Sequence, residues 1–199
     1  MTQAERAYYE RRAPEYDDWF LGIGLYSQRE RPGWEQELEL LRSALRSLSF
    51  RTILDVACGT GFLTRHLAGR IVALDQSRSM LQIAQQRLPN SAVVQGDGLN
   101  LPFQTGSFEC LSACHFYGHL RQPERERFLA DAHRVAKHIL IIDAGLHGQC
   151  GTEEVQQRIL KHGSQHTVYK RYFAADQLTG ELRGGHVLHA GRWFIAVLA

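Results

Sequence analysis

The chain has 199 residues, 44% of them hydrophobic and 22% charged, with a formal net charge of +2. That is enough for one globular domain with a proper core and too little for two of ordinary size, and the charge balance argues against an extended nucleic-acid surface. No apolar run approaches a membrane span, Met1-Thr2-Gln3-Ala4-Glu5-Arg6 does not read as a signal peptide, and Cys58, Cys110, Cys114 and Cys150 lack the spacing of a disulfide framework. A cytoplasmic protein without a membrane partner is expected.

Residues 7–20 are rich in aromatic and charged side chains, and Pro14 divides them into two short helical pieces. Trp34, Leu38, Leu41, Leu45 and Leu48 recur at alternating steps of four and three, which gives one apolar face to a helix opening near Pro32. A strand begins at Arg51, and its run Ile53, Leu54, Val56 is that of a strand covered on both faces. Gly59 and Gly61 make a tight turn, and a crossover helix is expected from Phe62 to Ala68, ending near Gly69.

Residues 71–75 form the second strand. Ser77 is a good N-cap for a helix whose Met80, Leu81, Ile83, Ala84 and Leu88 point inward before Pro89 stops it. Ala92-Val93-Val94 gives a third strand, and residues 107–115 a fourth with its exit loop. A charged helix from Glu124 to Arg134 turns Phe128, Leu129 and Val135 inward and leads to a strand at 138–143. His147, His162, His166 and Tyr169 then lie among Gly145, Gly148, Gly151 and Gly163. Residues 187–190 and 193–198, split by Gly191-Arg192, read as an antiparallel hairpin.

A buried strand that runs straight into a glycine turn serves nucleotide-like ligands in general. The dinucleotide fingerprint would need glycine at 64, where the chain has Thr64, and the phosphate loop with Gly-Lys-Ser/Thr is absent. Asp55 at the head of the turn would repel a pyrophosphate and attract an amino group or a sulfonium. A ligand with an adenosine end and a positively charged amino-acid end fits these residues, and S-adenosylmethionine is that ligand. Cys110, Cys114, His115 and His119 lack the tight, paired spacing of a zinc site, so no metal is expected.

The run Asp55-Val56-Ala57-Cys58-Gly59-Thr60-Gly61 resembles the first motif of the class I S-adenosylmethionine-dependent methyltransferases. Residues 71–77, ending in Asp75-Gln76-Ser77, resemble the second motif, and Gln95-Gly96-Asp97-Gly98-Leu99 the third. The resemblance extends over essentially the whole chain. It implies an α/β, Rossmann-like, doubly wound and mostly parallel seven-stranded sheet with a C-terminal antiparallel hairpin and helices on both faces. It divides the single domain into an N-terminal lid (residues 1–31), a cofactor-binding core (32–143) and a substrate-facing segment with the closing hairpin (144–199).

The same resemblance implies which residues hold the cofactor. Asp55 would serve its amino-acid end through the turn formed by Ala57, Cys58, Gly59 and Gly61. Asp75 and Gln76 would meet the ribose, Met80 would pack on the adenosine, and Asp97 and Gly98 would meet the adenine. Tyr16 of the lid and Cys114 complete that set. Tyr9, Tyr117, His147 and Tyr169 are expected to face the acceptor. His115 and His119, at the carboxyl end of the fourth strand, are the candidate catalytic bases, with Asp143 behind them. The Asn/Asp-Pro-Pro-Tyr and Pro-Cys motifs of nucleic-acid methylation are absent. The expected activity is direct in-line transfer of a methyl group to a small-molecule acceptor by a monomer or homodimer, with S-adenosylhomocysteine as product. A non-catalytic adenosyl-binding or regulatory module is the alternative, and an NAD-dependent oxidoreductase a remote one.

Overall fold

The computed structural model describes residues 3–147 and 151–199, with the side chains of residues 3 and 4 left aside; Gly148 and Cys150 lie outside the described residues. The N-terminal segment forms α1 (Gln3–Arg12), a 3-10 turn (Ala13–Glu15) and α2 (Asp18–Leu21), and α3 (Trp34–Ser47) follows. The core then runs β1 (Ser49–Val56), β2 (Ala68–Asp75), α4 (Arg78–Arg87), β3 (Ala92–Gln95), β4 (Phe108–Cys114), α5 (Gln122–Val135) and β5 (Ala136–Ala144). The chain ends with β6 (Glu153–Ile159), β7 (Gln165–Arg171), α6 (Ala175–Glu181), β8 (His186–Ala190) and β9 (Phe194–Leu198).

Seven strands form one sheet in the order β3-β2-β1-β4-β5-β9-β8, and β6 and β7 pair in a separate ribbon. Strands β1 to β5 are mutually parallel, whereas β9 runs antiparallel to both β5 and β8. This is the doubly wound sheet with a closing hairpin that the sequence implied.

Each face of the sheet has its own core. Leu38, Leu41 and Leu45 of α3 and Ala84 and Leu88 of α4 pack with Ile53, Ile71 and Leu140 on one side. Phe128, Ala132 and Val135 of α5 and Leu178 of α6 pack with Leu54, Leu111 and Ile139 on the other. Because β1 contributes side chains to both cores, it must be apolar at successive positions, which is why its sequence does not alternate. No helix among the described residues is long and apolar enough to cross a membrane.

Two expectations about local structure are corrected. Helix α3 opens at Trp34 with Gly33 at its N-cap, so Pro32 precedes the first turn instead of lying in it. The helix expected at 62–68 is absent: Thr64–His66 form one 3-10 turn, and β2 has already begun at Ala68, which pairs with Ser49. Once Ala68 is in the sheet, too few residues separate β1 from β2 for a crossover helix.

A side-chain bond does part of the helix's work. Thr64 Oγ1 donates to Asp55 Oδ2 at 2.5 Å, tying the far end of the turn back to the strand that leads into it. Asp55 is 2% exposed, and burial raises its pKa from 3.8 to about 6 against the hydrogen bonds of Thr64 and Ser112. Removing the hydroxyl leaves this buried carboxyl short of a donor, so Thr64→Val is expected to lower stability by about 1 to 3 kcal/mol in urea denaturation, with an unchanged m-value.

Candidate active site

Strand order reverses between β1 and β4, and in an open α/β sheet the crevice at the carboxyl ends of the strands beside such a reversal is the ligand site. A cavity opens there, lined by Tyr9, Tyr16, Gly59, Asp75, Met80 and His115 among others. Its floor is the glycine turn. Ala57, Gly59 and Gly61 all have positive φ, at 55°, 55° and 73°, and for Ala57 this is a conformation that an L side chain rarely adopts. Gly59 must stay bare for a second reason, since a Cβ there would sit 3.2 Å from the ring of Tyr16. At Gly98, on the opposite wall, a Cβ would lie 2.8 Å from Phe116 and 2.9 Å from Val56, so only backbone can face the cavity.

Asp75, at the end of β2, lines the cavity and fixes its floor. Its Oδ2 accepts the Gly59 N–H at 2.9 Å and its Oδ1 the Ser77 N–H at 2.8 Å. Ser77 in turn caps α4, its hydroxyl accepting the Met80 N–H at 3.2 Å, and so places Met80 on the cavity wall beside Gln76. Burial raises the Asp75 pKa from 3.8 to about 6, and the N–H groups of Ser77 and Gly59 pull it back.

The N-terminal segment is the roof. Tyr9 and Tyr16 line the cavity, and burial holds the Tyr16 phenol well above its ordinary pKa. Three contacts latch this roof to the core. Asp17 accepts Thr60 Oγ1 at 2.5 Å and Arg87 at 2.6 Å, Glu10 accepts the N–H groups of Arg78 and Ser79 at the start of α4, and the ring of Phe20 stacks on Phe62 at 4.3 Å.

His115 leaves β4 with φ +51 and lines the cavity. Trp19, Phe20 and Phe194 enclose its ring at 4.8, 5.9 and 5.7 Å. Its Nδ1 lies 3.8 Å from Asp143 Oδ1, and its buried Nε2 has no hydrogen-bond partner among the described residues. Burial drives its pKa down against the pull of Asp143, so the imidazole is neutral at ordinary pH. Asp143 itself is fully buried, which opposes its charge, yet Lys170 of β7, with His115 beside it, holds its carboxyl far below the usual range; the Gly118 N–H also donates to it at 2.7 Å.

The remaining expected site residues fall into three groups. His119 and Tyr169 line a second cavity, and Tyr9 is in the lining of both; His119 Nδ1 bonds the Tyr169 carbonyl at 2.7 Å. Asp55, Cys58, Gly61, Asp97 and Cys114 frame the first cavity without lining it. Asp97 takes the Leu99 N–H at 3.0 Å, and Gly61 packs toward Leu88. Tyr117 and His147 reach neither cavity. Tyr117 is fully buried among Phe128 and Phe173 with its hydroxyl on Glu181 at 2.6 Å, because the 3-10 turn Tyr117–His119 directs it into the core. His147 packs its ring against Trp193 at 5.1 Å.

Residues 53–138 match the methyltransferase domain family. The demethylmenaquinone methyltransferase of Thermotoga maritima is 37% identical over 90 residues, 43% of this chain and 38% of the relative. The 2-phytyl-1,4-naphtoquinone methyltransferase of Nostoc punctiforme is 34% identical over 152 residues, 69% of this chain and 61% of the relative. The chain therefore spans less than two thirds of the length of these curated relatives. DhpI in its SAH complex aligns with a TM-score of 0.72 at 26% identity, covering 98% of this chain and 94% of the other; DhpI in its SAM–HEP complex aligns with a TM-score of 0.77 at 23% identity, covering 100% and 99%. Residues 53–138 are thus similar to a methyltransferase domain, and the chain shares its fold with DhpI.

The cavity floor carries a titration that can be read directly. An Asp75 carboxyl with a folded pKa near 6 favours the folded state while it is protonated, and that contribution is lost as pH rises from about 4 to about 6. Asp75→Asn cannot ionise. Thermal denaturation at a series of pH values is expected to show the variant gaining on the parent by about 1 to 3 kcal/mol across that window and by nothing further above it.

Proposed function

We propose that this chain binds S-adenosylmethionine in the cavity beneath its N-terminal segment and transfers the methyl group to a small-molecule acceptor. The observation that carries this reading is the Asp75 carboxylate, held by Gly59 and Ser77 at the cavity wall between the glycine turn and Met80. The residues present suit that cofactor. Asp75 can accept ribose hydroxyls, Met80, Leu74 and Phe116 offer apolar walls for an adenine, and the main chain at Gly98 can approach the ring edge. The left-handed turn at 57–61 leaves room for a ligand against the backbone, and Asp55 acts on it at one remove by fixing Thr64.

The cofactor, when bound, supplies a methyl group on a sulfonium that leaves as a neutral thioether. What remains for the chain is to align the acceptor, exclude water and take up a proton where the acceptor carries one. Tyr9 and Tyr16 close the roof. His115 is a neutral base, walled by aromatic rings, with one nitrogen near Asp143 and the other unpartnered among the described residues. The second cavity, which shares Tyr9 with the first, is the space for the acceptor. Its Tyr8, Tyr9 and Tyr169 suit a small molecule, the acceptor class of the curated relatives named above.

Titration calorimetry with S-adenosylmethionine, S-adenosylhomocysteine and NAD tests this reading. Binding of the first two at about micromolar level and no binding of NAD is expected. Asp75→Ala is expected to weaken S-adenosylhomocysteine by about 1 to 3 kcal/mol. In an acceptor screen read by S-adenosylhomocysteine release, His115→Asn is expected to lower kcat about 100-fold or more and to change cofactor affinity far less. Cofactor binding with no release for any acceptor would instead identify a non-catalytic module.

A further inference from the structure

The hydroxyl of Tyr8, a buried residue of α1, is shared by two guanidinium groups. Arg12, one turn along the same helix, donates to it, and Arg158 of β6 donates at 3.4 Å. Arg12 is 6% exposed, and its other close neighbours are the rings of Tyr8 and Tyr16, at 5.6 and 5.1 Å from the guanidinium carbon. Arg158 also donates through Nε and Nη2 to the Gln156 carboxamide oxygen, at 3.0 and 2.7 Å. Among the described residues neither guanidinium has a carboxylate within ion-pair distance.

Other partly buried arginines of the chain are treated differently. Arg87 pairs with Asp17 at 2.6 Å, Arg125 with Glu181 at 2.9 Å, Arg134 with Asp131 at 2.7 Å and Arg171 with Glu153 at 2.7 Å. Burying a charge is costly unless it is paired, and two like charges that converge on one neutral oxygen add repulsion to that cost. The arrangement lacks an anion.

Its position says where the anion would come from. Tyr8 and Tyr9 line the second cavity, and Tyr9 also lines the first. Lys170 nearby is neutralised by Asp143, whereas Lys170 and Arg158 together add to burial in holding His119 neutral. Burial raises the Tyr9 phenol to about 12, with Arg158 and Arg12 pulling it back. Glu5 is the acid in the lining of the second cavity, and Asp75 lies on the cofactor side.

We infer that the second cavity takes an acceptor bearing a small oxyanion, of carboxylate or phosphate type, drawn to the Tyr8 hydroxyl in its lining and to Arg12 and Arg158, which stand behind that hydroxyl. A guanidinium offers two parallel N–H donors to such a group, and two guanidinium groups with a phenol between them can match both its charge and its shape. That the ligand is an acceptor rests on the methyltransferase reading; the oxyanion site itself does not.

Calorimetry of benzoate, inorganic phosphate and benzamide with the whole chain, alone and saturated with S-adenosylhomocysteine, tests the inference. Benzoate is expected to bind about tenfold or more tightly than benzamide, and phosphate to compete with it. Arg158→Gln, at a partly exposed position that tolerates the change, is expected to lose about tenfold or more in benzoate affinity with S-adenosylhomocysteine binding intact. Tyr8→Phe, which removes the shared hydroxyl and keeps the ring, is expected to weaken benzoate as well. Equal binding of benzoate and benzamide, or equal benzoate binding by Arg158→Gln and the parent, would overturn the oxyanion site. Benzoate binding to a chain that ignores S-adenosylhomocysteine would uphold the site and overturn the methyltransferase reading.

Discussion

The carboxylate of Asp75 holds three parts of the molecule in one place. It ends β2, accepts the Gly59 N–H of the glycine turn and accepts the Ser77 N–H at the head of α4. Each partner is a backbone group, so the bonds fix the course of the chain as well as the position of a side chain. The cost is a buried carboxyl whose ionisation is opposed by its surroundings, and Asp55 carries a similar cost one strand away. Two strained carboxyls at the carboxyl ends of adjacent strands are a common mark of a functional site.

The roof is held by short-range contacts on top of that floor. Asp17 with Arg87 and Thr60, Glu10 at the start of α4, and Phe20 on Phe62 all join the first 20 residues to the turn and to α4. The hydrogen bonds among these are partly exposed, and Trp19 and Phe20 add apolar packing against Trp34 and Phe194. A segment attached in this way can open locally at a free-energy cost well below that of global unfolding, which suits a roof that must admit a ligand and then exclude water. Trp19 ties this segment to His115, its ring standing edge-on at 4.8 Å.

Much of this was legible in the sequence, for identifiable reasons. The apolar run of β1, the glycine turn, the Ser77 cap and the period of α3 are local signals, and each is present in the structure. The missing helix at 62–68 was set by a distant fact, the pairing of Ala68 with Ser49, that no local pattern contains. The β6–β7 ribbon was hidden for another reason. Its inward positions include Lys170, a charged residue buried against Asp143, so the apolar alternation that marks a strand is broken where the ribbon meets the site. Tyr117 and His119 lie in the same 3-10 turn, yet one enters the core and the other a cavity, a division that depends on the direction of a single turn. Arg12, buried and ringed by tyrosines, reads in the sequence as an ordinary charge on a polar helix.

The central claim is that residues 8–20 roof a cofactor site whose floor is the turn at 57–61 and Asp75. Amide hydrogen exchange with and without S-adenosylhomocysteine addresses it most directly. The account predicts that saturating ligand slows exchange in 8–20 together with 57–61 and 75–80, leaving α5 and the β8–β9 hairpin unchanged. Ligand that binds but protects some other surface, with 8–20 exchanging as before, would contradict it.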